Sequence, residues 1–443
     1  MEVERIIRNI THHYFFYLFA FTLFFGVSLY HMAELRFTDE LSGVLLLIAY
    51  VIFLYRTKNR NFHPAVLIIP AVFMLDAGYS FYLSHNTSQA ILLDFLIQLR
   101  PYATFFIVSQ LAPSLSDVQK QQMARLCLLL WLLFLPIGAY GLYLPDIYRS
   151  VMNRPENFVA VVSSLSLVYL YCSDFSTIAR RTFLVMLSAS MLASPRFIGL
   201  FLLICGIVLY FNHRSILNSW IRTGIATGVV VWIATYIFYI QIASYLSPSD
   251  AQGGSLSALD PQAILYQAAL KVWRDFPLFG SGLASFATYA SGLYYSPLYA
   301  EYGVHTVSGL APHAWHSVCD TYYPSLVQFG VTGIVLFLLF WTFIVCLSLW
   351  KYKRHGDIQL FVTVLITACI LFIGNISDSL FTSHKGYFMM MFLGLLAGNL
   401  RQNKCLTKTT QAPSDELLSE EPLWEERIET ETASSVKYPN QTT

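Results

Sequence analysis

The feature that most constrains this chain is a succession of apolar blocks, each roughly 16 to 25 residues long, about what a helix needs to cross ~30 Å of hydrocarbon. Core helices of water-soluble proteins carry one apolar face, whereas these blocks are apolar all round. Composition agrees, with 56% hydrophobic and only 12% charged residues, where ordinary globular domains are about a quarter charged. A formal net charge of +1 leaves no basic surface for nucleic acid. The chain therefore reads as an all-α polytopic membrane protein.

Spans are expected near 14–33, 41–55, 64–83, 91–111, 124–143, 158–172, 182–194, 197–212, 223–245, 321–350, 359–378 and 386–400. These make about 12 transmembrane helices within a domain covering residues 1–400, with a large loop near 246–320 between spans 9 and 10. The seventh and eighth are short and meet at Ser194-Pro195-Arg196, as a tight hairpin or a re-entrant pair. The first block is span-length and lacks a small-residue cleavage site, so no removable signal is expected. Residues 401–443 are polar and acidic, and read as a disordered cytoplasmic tail.

Orientation follows from lysine and arginine in short loops. With the N-terminus inside, sixteen fall on the cytoplasmic side and eight on the other, so both termini are expected in the cytoplasm. The outer eight are Arg36, Arg100, Arg149, Arg154, Arg196, Lys271, Arg274 and Lys385. Each asks for a reason. Snorkelling to lipid headgroups would explain any one of them. A cluster at one membrane face suggests instead a phosphorylated lipid, because the guanidinium fork binds phosphate through paired donors. Arg100 lies inside an apolar span next to Pro101, where a charge is costly and usually functional. Of seven cysteines, only Cys319 is expected outside, and no metal-ligand spacing appears, so neither metal nor cofactor is expected.

The outer loop signals a helix. Asp260 suits an N-cap and Pro261 the first helical position, and Ile264–Arg274 would lie on the membrane with one apolar face. Tyr-rich sequence follows, then His305 and His313-Ala314-Trp315-His316-Ser317 before the next span. His316 is either a base working near neutral pH or part of an interfacial belt with Trp315, Tyr322 and Tyr323.

Several of these segments resemble the O-antigen ligase and O-antigen polymerase family. The run Ala268–Gly282, containing Trp273-Arg274-Asp275-Phe276-Pro277-Leu278-Phe279-Gly280-Ser281-Gly282, is similar to the family's loop motif. A histidine-containing segment followed by Gln328-Phe329-Gly330-Val331-Thr332-Gly333 is similar to its return into the membrane. Ser194-Pro195-Arg196 and Asn153-Arg154-Pro155-Glu156-Asn157 resemble its outer arginine and its Asn-containing helix start. The resemblance covers roughly residues 150–400. Two departures stand out: Gln262 occupies a usual arginine position, and the position of the usual histidine falls at Cys319-Asp320, one helical turn beyond His316.

The resemblance implies a GT-C-like fold and an inverting, metal-independent transfer of a lipid-linked glycan at the periplasmic face of the bacterial inner membrane. The donor would be a glycan on undecaprenyl diphosphate, and the acceptor either another glycan or lipid A-core. Arg196 and Arg154, with Arg274 and Arg100 behind them, would hold the diphosphate, and His316 or Asp320 would take the acceptor proton. The missing histidine favours a repeat-unit polymerase over a ligase. A lipid-linked glycan transporter or flippase is the alternative of another class, although the chain shows no repeated halves and its polar interest sits in one asymmetric loop.

Overall fold

The computed structural model describes residues 2–30, 32, 37–56, 65–143, 148, 151–193, 197–211, 219–246, 260–313, 320–355 and 358–411. Among them every regular element is helical. In chain order these are α1 (Glu2–Phe21, continued by a π-helix at Thr22–Ser28), α2 (Thr38–Arg56), α3 (Ala65–Leu83), α4 (Ser88–Leu111), α5 (Asp117–Tyr143) and α6 (Pro155–Cys172). Then follow α7 (Thr177–Ser188), α8 (Ser190–Ala193), α9 (Ile198–Tyr210) and α10 (Trp220–Leu246). The loop region holds α11 (Pro261–Asp275), α12 (Tyr289–Leu293) and α13 (Leu298–Glu301). The last set is α14 (Tyr322–Ser325), α15 (Gly330–His355), α16 (Ile358–Gly374) and α17 (His384–Gln411). The chain divides into two compact units, 1–400 and 401–443; of the second, only helical residues 401–411 are described.

Among the described residues, seven helices are long and apolar enough to cross a membrane, within α2, α3, α4, α5, α6, α10 and α15, and α9 and α16 are shorter apolar helices. The chain is thus a helical protein built for several membrane crossings. Burial sorts these helices by position. In α6 the apolar window is 89% buried, whereas in α3 it is 11% and in α10 and α15 17%. A helix apolar all round can sit in either place, since lipid tails are as apolar as leucine. Here α6 is the central post and α3, α10 and α15 are the outer staves, showing Leu75, Trp232 and Leu339 on the surface.

The start of α6 shows why its sequence reads as it does. Asn153 takes a left-handed φ of +60°, which asparagine tolerates better than most residues. Arg154 is the extended N-cap residue, Pro155 fills the first turn, and the Asn157 amide donates to the Met152 carbonyl at 2.7 Å. Arg154 is thereby set at the start of the most buried of these seven helices.

The loop helix α11 starts as its sequence predicts, with the Asp260 carboxylate accepting from the Gln262 amide at 3.0 Å. Its apolar face behaves otherwise than expected. Leu265, Ala268, Ala269 and Val272 pack with Phe286, Leu298, Tyr299, Leu310 and Val327 into a small core of the loop's own, so this face is already covered by protein. A period of 3.6 identifies an apolar face but not its partner.

Two glycine motifs far apart in sequence close this loop module onto the bundle. Ser281 and Gly282 donate to the Val327 and Gln328 carbonyls at 3.1 and 3.0 Å, and Val331 and Thr332 donate back to Pro277 and Leu278 at 2.9 and 3.2 Å. At Gly280, φ is +78° and a Cβ would stand 2.3 Å from the Gln328 carbonyl. Gly280→Ala is therefore expected to cost more than about 2 kcal/mol, from left-handed strain plus a backbone clash. Thermal unfolding in detergent checks this; an unchanged midpoint would show that the two segments do not pack so closely.

Candidate functional site

The connection between α16 and α17, residues 375–383, brings together charged side chains from several helices. Asp378 lies at its centre. Lys385, in the first turn of α17, donates to Asp378 Oδ2 at 2.5 Å and to Asn157 Oδ1 at 2.5 Å. Arg154 approaches Asp378 Oδ1 at 3.6 Å and donates to the Ser377 carbonyl at 3.3 Å. Lys385 is 3% exposed, so its charge is tolerable only because carboxylate and amide oxygens surround it. Burial alone would raise the Asp378 carboxyl, but the flanking Lys385 and Arg154 charges win and hold it below its usual range.

Asp320 joins the same cluster from the other side of the loop. The residues after it are pinned too: the extended Thr321 donates its N–H to the Ala287 carbonyl at 3.2 Å, and Tyr322, the first residue of α14, donates to the Asp378 carbonyl at 3.4 Å. Asp320 hydrogen-bonds Ser379 and feels Asp378, Arg154 and Asp94. Burial is the main cause of its shift, and its carboxyl is pushed up to about 7. A carboxyl poised there exchanges protons near neutral pH.

Arg100 reaches the same connection from α4. One of its Nη atoms pairs with Asp39 of α2, and the other donates to the Thr382 carbonyl at 2.7 Å. Tyr387 lies beneath the guanidinium, 5.8 Å from it, and bonds Ser42, which in turn bonds Thr22 in the π-helix. The charge inside this span is thus balanced by Asp39, and Arg100 ties three helices to the connection.

Of the six candidate site residues, Arg154 and Asp320 are brought together, and Arg100 meets the same connection further along. Arg274 is exposed in the last turn of α11 and takes part in none of these contacts. Arg196 and His316 lie outside the described residues, although Phe197, next in sequence to Arg196, lines a recess with Glu156, Leu200 and Asp378. Lys385 had figured only as one more outer cation, and Asp378 and Asp39 were missed. The signal for Asp378 was a polar run, Asn375 to Lys385, standing between two strongly apolar helices.

Chemically, the site offers two cations held in place by a single carboxylate, with a second carboxyl that titrates near neutrality. Among the described residues Arg154 Nε and Nη2 make no further hydrogen bond. No cluster of three or more His, Cys, Asp or Glu side chains suited to a metal occurs among them. No family model, curated protein or solved structure matches the chain.

Proposed function

We propose that this chain is an inverting glycosyltransferase of the bacterial inner membrane, about 12 spans with both termini in the cytoplasm. In this reading it moves a glycan from undecaprenyl diphosphate to a sugar hydroxyl at the periplasmic face, as a polymerase of O-antigen or exopolysaccharide repeat units. The observation that carries the reading is the meeting of Arg154, Lys385, Asp378 and Asp320 at one membrane-proximal connection. The pairing of the two glycine motifs quoted for the family resemblance supports it as well.

In the reaction the acceptor oxygen attacks the anomeric carbon as the bond from that carbon to the phosphate oxygen breaks. The electron pair leaves with the lipid diphosphate, and configuration inverts. Arg154, joined by Arg196, stabilises the charge growing on the leaving group, while Lys385 keeps Asp378 from cancelling it. Asp320 accepts the hydroxyl proton, with His316 as its rival. Transfer of finished polymer to lipid A-core uses the same steps with another acceptor.

A transporter is the second reading, favoured by one observation: Arg100 and Asp39 form an ion pair within the spans, a common mark of ion or proton pathways. The two separate cleanly. Purified protein in liposomes without a gradient should form glycosidic bonds; strict gradient dependence with no covalent product would reverse the proposal. In cells lacking the protein, single repeats capped on the core with the ladder gone mean polymerase. Full-length polymer stranded on the lipid carrier means ligase.

Arg154→Ala should lower transfer by about 10² to 10³, the range for removing one donor to a developing anion. Normal product levels at normal protein abundance would remove Arg154 from the mechanism.

A further inference from the structure

The side of α11 that the loop's own core leaves uncovered runs on into the turn Pro277–Phe279, and the proposed reaction makes no use of it. Leu270, Lys271, Trp273 and Arg274 are exposed at the end of α11. Leu278 and Phe279 follow, 64% and 59% exposed. Large apolar side chains beside two cations thus stand open on a loop whose other apolar residues are packed away.

Two neighbours fix the height of this turn against the bundle. Val331 and Thr332, in the first turn of α15, donate to the Pro277 and Leu278 carbonyls, so the turn lies where that apolar helix begins. On α3, the Tyr79 hydroxyl donates to the Gly280 carbonyl at 3.2 Å, and the Phe279 ring stands 6.0 Å from the Tyr79 ring. Tyr79 lies one helical turn inside the end of α3, within its apolar window Val66–Leu83. Phe279 is therefore level with the apolar body of a span rather than with its watery end.

The adjoining surface points to the occupant. Both α3 and α15 are outer staves, and they show Leu75, Tyr82, Val331 and Val335 on the outside. The turn prolongs a surface already suited to hydrocarbon. Trp273, Lys271 and Arg274 just beyond it suit the headgroup layer, where the indole rests at the boundary and long cationic side chains reach phosphate. Asp275, the one acid between Leu270 and Phe279, is engaged by the Tyr302 hydroxyl at 2.5 Å.

We propose that Leu270–Phe279 is a foot that seats the loop module on the phospholipid leaflet around α3 and α15. Leu278 and Phe279 enter the acyl boundary, and Lys271 and Arg274 meet the lipid phosphates above them. Arg274, which meets none of the site's side chains, thereby gains a partner outside the protein. The inference holds whether or not the chain transfers glycans.

The test uses the full-length protein in nanodiscs of phosphatidylethanolamine and phosphatidylglycerol in equal amounts. A benzophenone amino acid replaces Phe279 or, separately, Leu278; both side chains are more than half exposed, so folding should tolerate the change. After irradiation, mass spectrometry should find phospholipid adducts on the peptide carrying the probe. Their yield should exceed at least several-fold that from a probe at His305, exposed in a polar stretch of the same loop. Lys271→Gln combined with Arg274→Gln should lower the phosphatidylglycerol share of the adducts. Three results overturn the proposal. Cross-links to a second copy of the chain in place of lipid would make this surface a subunit interface. A lipid yield no higher than at His305 would place the turn in water. An unchanged phosphatidylglycerol share in the double variant would remove the two cations from the headgroups.

Discussion

Asp320→Asn is expected to reduce glycan transfer by about 10² to 10⁴-fold with protein abundance unchanged, the range for loss of a positioned general base. The substitution keeps size and hydrogen bonding to Ser379, so folding should survive it. The pH dependence gives a sharper check. Asp320 is an acid whose carboxyl is pushed up to about 7, so below that pH it keeps its proton and cannot accept one from the sugar hydroxyl. Transfer should therefore rise with pH and level off above about 7, and the asparagine variant should lose that limb. If the limb persists in Asp320→Asn and vanishes in His316→Ala, the base is His316 and Asp320 only shapes the site.

Lys385→Met should be the most destabilising single change in the cluster, at about 3–5 kcal/mol, the usual cost of breaking a buried ion pair from one side. Two partners are left behind. Asn157 Oδ1 loses its donor, and the only cation left beside Asp378 is the more distant Arg154. The measurement is thermal unfolding in detergent, with a double variant, Lys385→Met with Asp378→Leu, as control. If the penalty comes from an uncompensated carboxylate, the double variant should recover much of the loss. A double variant as unstable as the single would place the cost in packing against Asn157. A single variant that melts with the unaltered chain would mean that Lys385 is not buried in the pair at all.

These two variants probe different links of the same argument. Asp320 lies on the chemical step, whereas Lys385 lies on the packing that holds Asp378 between two cations. A loss of activity in Lys385→Met alone would not identify a catalytic residue, because the connection from 375 to 383 depends on this contact.

What the sequence determined by itself was everything carried by local pattern. Apolar length located seven of the expected spans, and the helices within α2–α6, α10 and α15 fall on them to within a few residues at most ends. Asp260-Pro261 announced the start of α11 because capping is a contact between residues two or three apart.

Only the tertiary structure decided which helices face lipid and which face protein, because a uniformly apolar helix suits both. It also redirected α11, whose apolar face meets the loop's own core. It decided the site above all. Asp378 and Lys385 are seven residues apart, but Asn157 and Arg154 lie more than two hundred residues away. Coulombic pairing acts through space, so nothing in the local sequence around any one of them records the other three. Asp39 and Arg100 repeat the point: each alone looks like an unexplained charge in an apolar chain, and only their pairing shows why the chain tolerates both.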